Sequence, residues 1–157
     1  MEVTIGASPE LIEQAQAIRF QVFSVEQSIP SELDLDGLDS ASVHALVMDG
    51  NQAIATARLL INPDGSSVMA RVAVLEAYRG KGIASKVVTV VMNYAKQQGV
   101  DFIEIHAHSY LRNYYQKFGF DFIQEVEVVG GHQLIEMRYQ SPRSQQAVSS
   151  TNADATS

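Results

Sequence analysis

The period at which apolar residues recur changes repeatedly along the chain, and each change marks an element. A short apolar start predicts a strand over 3–6. Ser8-Pro9-Glu10 then has the chemistry of a helix start: a side-chain cap, a proline at the first helical position, and an acid near the positive end of the dipole. Leu11, Ala15, Ile18 and Val22 recur at helical spacing and give that helix one buried face. Residues 28–42 lose the pattern. They are acidic and turn-rich, and read as a loop with room for one helical turn. Apolar runs over 43–49 and 52–61 flank Asp49-Gly50-Asn51, a hairpin signal. Asn62-Pro63-Asp64-Gly65 is a second turn, and 67–74 a third strand of the same meander. The strongest helix is 83–98, where Ala84, Val87, Val88, Val91, Met92 and Ala95 share a face and Gly99 stops the chain. A strand over 102–107, a short helix over 110–118 and strands over 120–128 and 133–139 around Gly130-Gly131 complete the series. The order β-α-loop-β-β-β-α-β-α-β-β predicts one mixed α/β domain over residues 1–140, without internal repeats. Residues 141–157 are polar and poor in large apolar groups, and read as a disordered tail.

Composition removes several function classes. The 157 residues contain no cysteine, so disulfides, thiolate catalysis and cysteine-bound metals are excluded. No apolar stretch reaches the ~18 residues of a membrane span, and no basic segment followed by an apolar one opens the chain, so a cytoplasmic protein is expected. A formal net charge of −7 argues against nucleic acid and favours cationic or amine-bearing small partners.

Against that acidic background, "VLEAYRGKGIASKVV" concentrates Arg79, Lys81 and Lys86 around Gly80 and Gly82, at the head of the strongest helix. Free N–H groups and the dipole at such a helix start favour an anion, and glycines let backbone approach it closely. The stretch is therefore either a phosphate cradle or a solvated turn. A P-loop is excluded because Gly82 is followed by Ile83 rather than lysine. A dinucleotide fingerprint fits poorly: Ser85 stands where the third glycine belongs, and Asp101 opens its strand instead of ending it.

Arg79, Gly82 and Ala84 also supply R-x-x-G-x-A, and "NYYQKFGF" (113–120) follows downstream. Both resemble motifs of the GNAT (GCN5-related N-acetyltransferase) superfamily, and the element order resembles its fold over about 2–139. "RFQVFSVEQSIP" and "DLDGLDSASVH" are similar to the ElaA-like branch. The resemblance implies a central, mostly antiparallel mixed sheet with flanking helices and a parallel strand pair that splays apart. It implies an N-acetyltransferase in which an amine directly attacks the thioester of acetyl-CoA in a ternary complex, with no metal. The pantetheine arm would pair with Val72, Ala73 and Val74, and the pyrophosphate would lie on Arg79, Gly80, Lys81, Gly82, Ile83, Ala84 and Ser85. Asn113 would also touch the donor. Tyr115 stands at the general-acid position, with Tyr114 as its packing neighbour. His108 stands where many members have asparagine, and either relays a proton or hydrogen-bonds the donor.

The acceptor side is read from the first helix and its following loop. Arg19, Phe23, Gln27 and Asp36 are expected to line the acceptor pocket, with Glu26 as a base acting through water. Two bland alternatives stand beside this: Arg19 in a structural ion pair, and the acids Glu32, Asp34, Asp36 and Asp39 merely solvated. His44 and His132 are read as structural. His106 and His108 share a strand face, but nothing spaced near them along the chain completes a metal site. Two rivals remain: a non-catalytic acyl-CoA sensor, and an acyl-homoserine-lactone synthase, whose members carry tryptophan in the corresponding opening where this chain has none. The strands at the C-terminal edge leave room for a homodimer.

Overall fold

Strand after strand forms where the alternating runs lie, and among the described residues they build one seven-stranded sheet in the order 2–6, 43–49, 52–61, 66–74, 102–108, 132–140, 121–129. The computed structural model describes residues 1–142, so the expected tail lies, from residue 143, outside the described residues. The described chain divides into two units, Met1–Leu60 with Met69–Tyr94, and Ile61–Val68 with the residues from Ala95 onward.

The first unit opens with β1 (Glu2–Gly6) and α1 (Pro9–Arg19). The Ser8 hydroxyl accepts from the Leu11 amide at 3.2 Å, the N-cap that the sequence calls for. Helical winding does not stop at Arg19. It widens into a π-helix over Phe20–Glu26, a form that is rare and concentrates at functional sites. The acidic stretch that follows contains a short α2 (Ser31–Asp34) and a 3₁₀ turn (Asp39–Ala41), more order than a loop with one turn. β2 (Val43–Asp49) and β3 (Gln52–Ile61) pair antiparallel across the expected hairpin, and β1 pairs antiparallel with β2. β4 spans Ser66–Val74 and α3 spans Ile83–Gln97. The core of this unit joins Ala15, Ile18 and Val22 of α1 and its extension to Leu46 and Ala73, which is the buried face read from the helical spacing.

In the second unit, the first residues of β4 pair parallel with β5 (Phe102–His108) through Ser66↔Phe102, Ser67↔Ile103 and Val68↔Glu104. That parallel ladder ends at Val68, although β4 runs on to Val74 and β5 to His108. A 3₁₀ turn (Ser109–Leu111) and α4 (Arg112–Gln116) stand where a single short helix was expected. β6 (Asp121–Val129) and β7 (His132–Gln140) form the closing hairpin, with β7 antiparallel to β5. Tyr115, Phe120 and Tyr139 form a ring cluster with centroid spacings of 5.8 and 5.9 Å, burying Phe120 to 1% exposure. No helix among the described residues is long and apolar enough to cross a membrane.

Candidate active site

The glycine-rich stretch is an open loop. Gly80 and Gly82 have φ of +77° and +76°, values that a residue with a side chain adopts only under strain. A Cβ at either position would meet nothing within 4 Å, so the glycines serve conformation and an accessible backbone, not internal packing. α3 begins directly after them, and its first N–H groups have no intrahelical acceptor. Lys81 reaches over the Tyr78 ring at 5.6 Å, and the Lys86 ammonium donates to the Met1 carbonyl at 3.3 Å.

Arg79 is the best-anchored cation of the loop. Its Nε donates to the Val74 carbonyl at 3.0 Å, and its two terminal nitrogens meet the two Glu26 oxygens at 2.8 Å each. Glu26, expected as a base, thus spends its carboxylate on a two-pronged ion pair with the arginine of the glycine loop. A cleft of about 600 Å³ lies beside this pair, lined by Gln14, Ile18, Gln21, Glu26, Gln52 and Leu75. Phe23 packs against the core cluster of the first unit, and Gln27 is exposed just past the π-helix.

The acidic loop is not a solvated patch. Arg19 is 0% exposed and donates to Asp34 (2.8 Å) and Asp39 (2.8 Å). Arg58 meets Asp36 at 2.8 Å and Asp39 at 3.1 Å, and Arg71 meets Asp34 and Asp36 at 3.1 Å each. Three guanidiniums therefore balance three carboxylates. Burial by itself raises the Asp39 pKa, but hydrogen bonds from Arg19, Gln16 and Arg58 outweigh it and hold the carboxyl well below the usual range. The Arg58 hydrogen bond likewise lowers that of Asp36. This corrects two expectations. Arg19 is the structural ion pair and has no surface to offer an acceptor, and Asp34, Asp36 and Asp39 hold arginines in place of a substrate ammonium. His44 is buried as expected, its Nε2 paired with the Asp39 carbonyl at 2.9 Å.

Sequence reasoning missed Arg58 and Arg71. The signal was available: each is a lone charge inside an apolar strand ("TARLLI", "VMARVAV"), where an unpaired guanidinium is too costly to bury.

In the second unit, Tyr115 is 6% exposed, and burial, with Tyr114 adding to it, pushes its phenol well above the usual range. It remains a neutral proton donor at any physiological pH. Asn113 is exposed on the same helix. His108 stacks on Tyr110 at 5.2 Å and meets His132 edge-on at 5.1 Å. Burial, and then the neighbouring His132, lower its pKa, so the ring is neutral at pH 7, with a buried Nδ1 that has no hydrogen-bond partner among the described residues.

One expectation about metals needs revision. Nothing along the chain completes a site with His106, but pairing β5 with β7 sets Glu136 opposite it, and Glu104 lies 3.2 Å away. The three ligand atoms fall within 4.8 Å of one another. The same two carboxylates also face the Arg138 guanidinium at 3.6 and 3.4 Å, and Gln124 donates to Glu136 at 3.1 Å. The charge that a cation would supply there is already supplied by arginine.

The family model described as "Acetyltransferase (GNAT) family" matches residues 10–120, which takes in both the glycine loop and Tyr115. The chain belongs to the acetyltransferase (GNAT) family. It lies in the ElaA-like branch: Escherichia coli protein ElaA is 32% identical over 113 residues, covering 69% of this chain and 74% of that protein. The ElaA crystal structure superimposes with a TM-score of 0.79 over 88% of this chain and 99% of that one, at 28% identity. An uncharacterized N-acetyltransferase of Bacillus subtilis, YjcF, is 27% identical over 127 residues, covering 81% of this chain and 90% of the relative. The structure of an acyl-CoA N-acyltransferase from Pseudomonas aeruginosa aligns with a TM-score of 0.80 at 27% identity, over 88% and 98% of the two chains. As a GNAT protein the chain is an acetyltransferase on the mixed, mostly antiparallel sheet expected of it, with one parallel strand pair.

Proposed function

We propose that this GNAT protein transfers the acetyl group of acetyl-CoA to a primary amine of a small molecule or peptide. The observation that carries the reading is the loop at the head of α3, where two left-handed glycines open the backbone beside Arg79 and Lys81. Such a loop suits a pyrophosphate, because amides and the helix dipole meet its charge without a metal. In this reading the phosphates lie on residues 79–85, the pantetheine arm pairs with residues 72–74, and Asn113 adds a contact. The acyl-CoA N-acyltransferase name of the P. aeruginosa neighbour supports the donor class, and that name with the N-acetyltransferase name of the B. subtilis relative supports an amine acceptor.

The chemistry is a direct displacement. The amine nitrogen attacks the thioester carbonyl, the C–N bond forms and the C–S bond breaks. A backbone N–H near Val74 meets the developing oxyanion. Tyr115, a phenol kept protonated by burial, gives its proton to the departing thiolate. His108, neutral and with an unpaired ring nitrogen, accepts the proton that the amine loses. Glu26 serves the loop arginine and has no part in proton transfer. We place the catalytic domain at residues 1–140.

The test is release of free CoA from acetyl-CoA across a panel of polyamines, aminoglycosides, amino sugars and peptides. Release that depends on one class of amine and drops in Tyr115→Phe supports the reading. Binding of acetyl-CoA without release on any amine replaces it with the sensor.

A further inference from the structure

Arg71 sits inside β4 with φ of +58°, and only Ser28 among the other described non-glycine residues shares the left-handed region. A side chain in that region strains the backbone, and such strain persists only where the surroundings over-determine it. A glycine would adopt that conformation freely, and nine described glycines in this chain do so elsewhere. The side chain at position 71 must therefore supply something that glycine does not. Its Nε meets Asp34 and its Nη2 meets Asp36, both at 3.1 Å, and Nη2 also reaches the Leu33 carbonyl at 3.3 Å. Asp34 already has Arg19 at 2.8 Å, and Asp36 already has Arg58 at 2.8 Å. Arg71 is a further grip on carboxylates that are otherwise paired, and it ties a kinked strand to the α2 loop. A left-handed residue inside a strand breaks the pleat and re-aims the backbone that follows. Here that backbone is residues 72–74.

We propose that Arg71 is a positioning residue: held by Asp34 and Asp36, it fixes the kink that aims the backbone of residues 72–74 at the acyl arm of the donor. The inference rests on the donor reading given above. It assigns Asp36 a task, since this is the outermost carboxylate of the network (side chain 28% exposed) and yet shares two arginines.

The test measures, by calorimetry on the full chain, affinity for acetyl-CoA and for 3′-phospho-ADP, the nucleotide part of the donor without its pantetheine arm. Arg71→Gly keeps the kink permissible and removes the grip. It is expected to weaken acetyl-CoA binding about tenfold while leaving 3′-phospho-ADP within about twofold. Arg71→Lys recovers part of the loss, and Asp36→Asn, which leaves Arg71 in place, shows a smaller loss in the same direction. Arg71→Gly binding both ligands as the wild type does, or losing both equally, overturns the positioning role. A wild-type chain that binds neither ligand overturns the donor reading itself, and the positioning role with it.

Discussion

Two regions of the first unit hold arginine against carboxylate, and they do opposite things. Around Asp34, Asp36 and Asp39, three guanidiniums and three carboxylates close on one another with Arg19 fully buried. At the glycine loop, Arg79 has one acidic partner, Glu26, and its side chain is 42% exposed. Every charge in the first region is answered within the fold, so substrates gain little by competing for it. The second has a single exposed pair, of a kind worth ~0–1 kcal/mol, which an incoming phosphate can displace. Ion pairs of similar length thus lock architecture in one place and stay open to exchange in the other, where we propose that the donor binds, and burial makes the difference.

The difference sets the size of the expected effects. Arg19→Met leaves Asp34 and Asp39 in the interior with fewer partners, which should destabilise the fold by ~3–5 kcal/mol and lower Tm by roughly 10 °C in a thermal melt. A loss below about 1 kcal/mol would mean that the network relaxes easily. Next comes Tyr115→Phe, expected to cut amine-dependent turnover by about 10² while sparing acetyl-CoA affinity; unchanged turnover removes the phenol from the mechanism.

The buried network also carries a pH signature. The Asp39 carboxyl has a folded pKa below its ordinary value of 3.8, so its contribution is fully present above that value and is lost as pH falls through the folded one. Denaturant midpoints measured from neutral pH into the acid range should therefore decline at the acid end, and Asp39→Asn, already weakened at neutral pH, should show a flatter decline. In the second unit, under the proposed mechanism, the lowered His108 pKa would set the acid limb of kcat, measured at saturating amine, below pH 6.5, the ordinary imidazole value. A limb above that value would exclude His108 as the proton acceptor. The smallest change belongs to the exposed pair: Glu26→Gln frees Arg79 for phosphate, and should tighten acetyl-CoA binding about two- to threefold. Weaker binding would show that Glu26 holds Arg79 in its working position.

What could be read from the sequence follows the same division. The glycine loop was legible because its parts are contiguous: two glycines, two cations and a helix start lie between Arg79 and Ile83. The helix face of Ala15, Ile18 and Val22 was legible because periodicity is local, and the Asp49-Gly50-Asn51 hairpin because turn chemistry is local. The acid loop was not. Its meaning depends on Arg19, Arg58 and Arg71, which come from a helix and two strands far apart along the chain. Glu136 beside His106 was hidden likewise, since only the β5–β7 register brings them together. The π-helix after Arg19 has no sequence signal that we identify, and it carries Glu26, the partner of Arg79.

The most direct test of the donor assignment is titration of acetyl-CoA into the wild-type chain and into Gly82→Val. A Cβ at position 82 meets no protein atom, but a β-branched residue resists φ of +76°, so the loop distorts while the core stays packed. The wild type should bind, and Gly82→Val should bind at least about tenfold more weakly with its thermal melt nearly unchanged. Equal affinity in the two proteins would contradict the assignment of this loop to the phosphates of the donor.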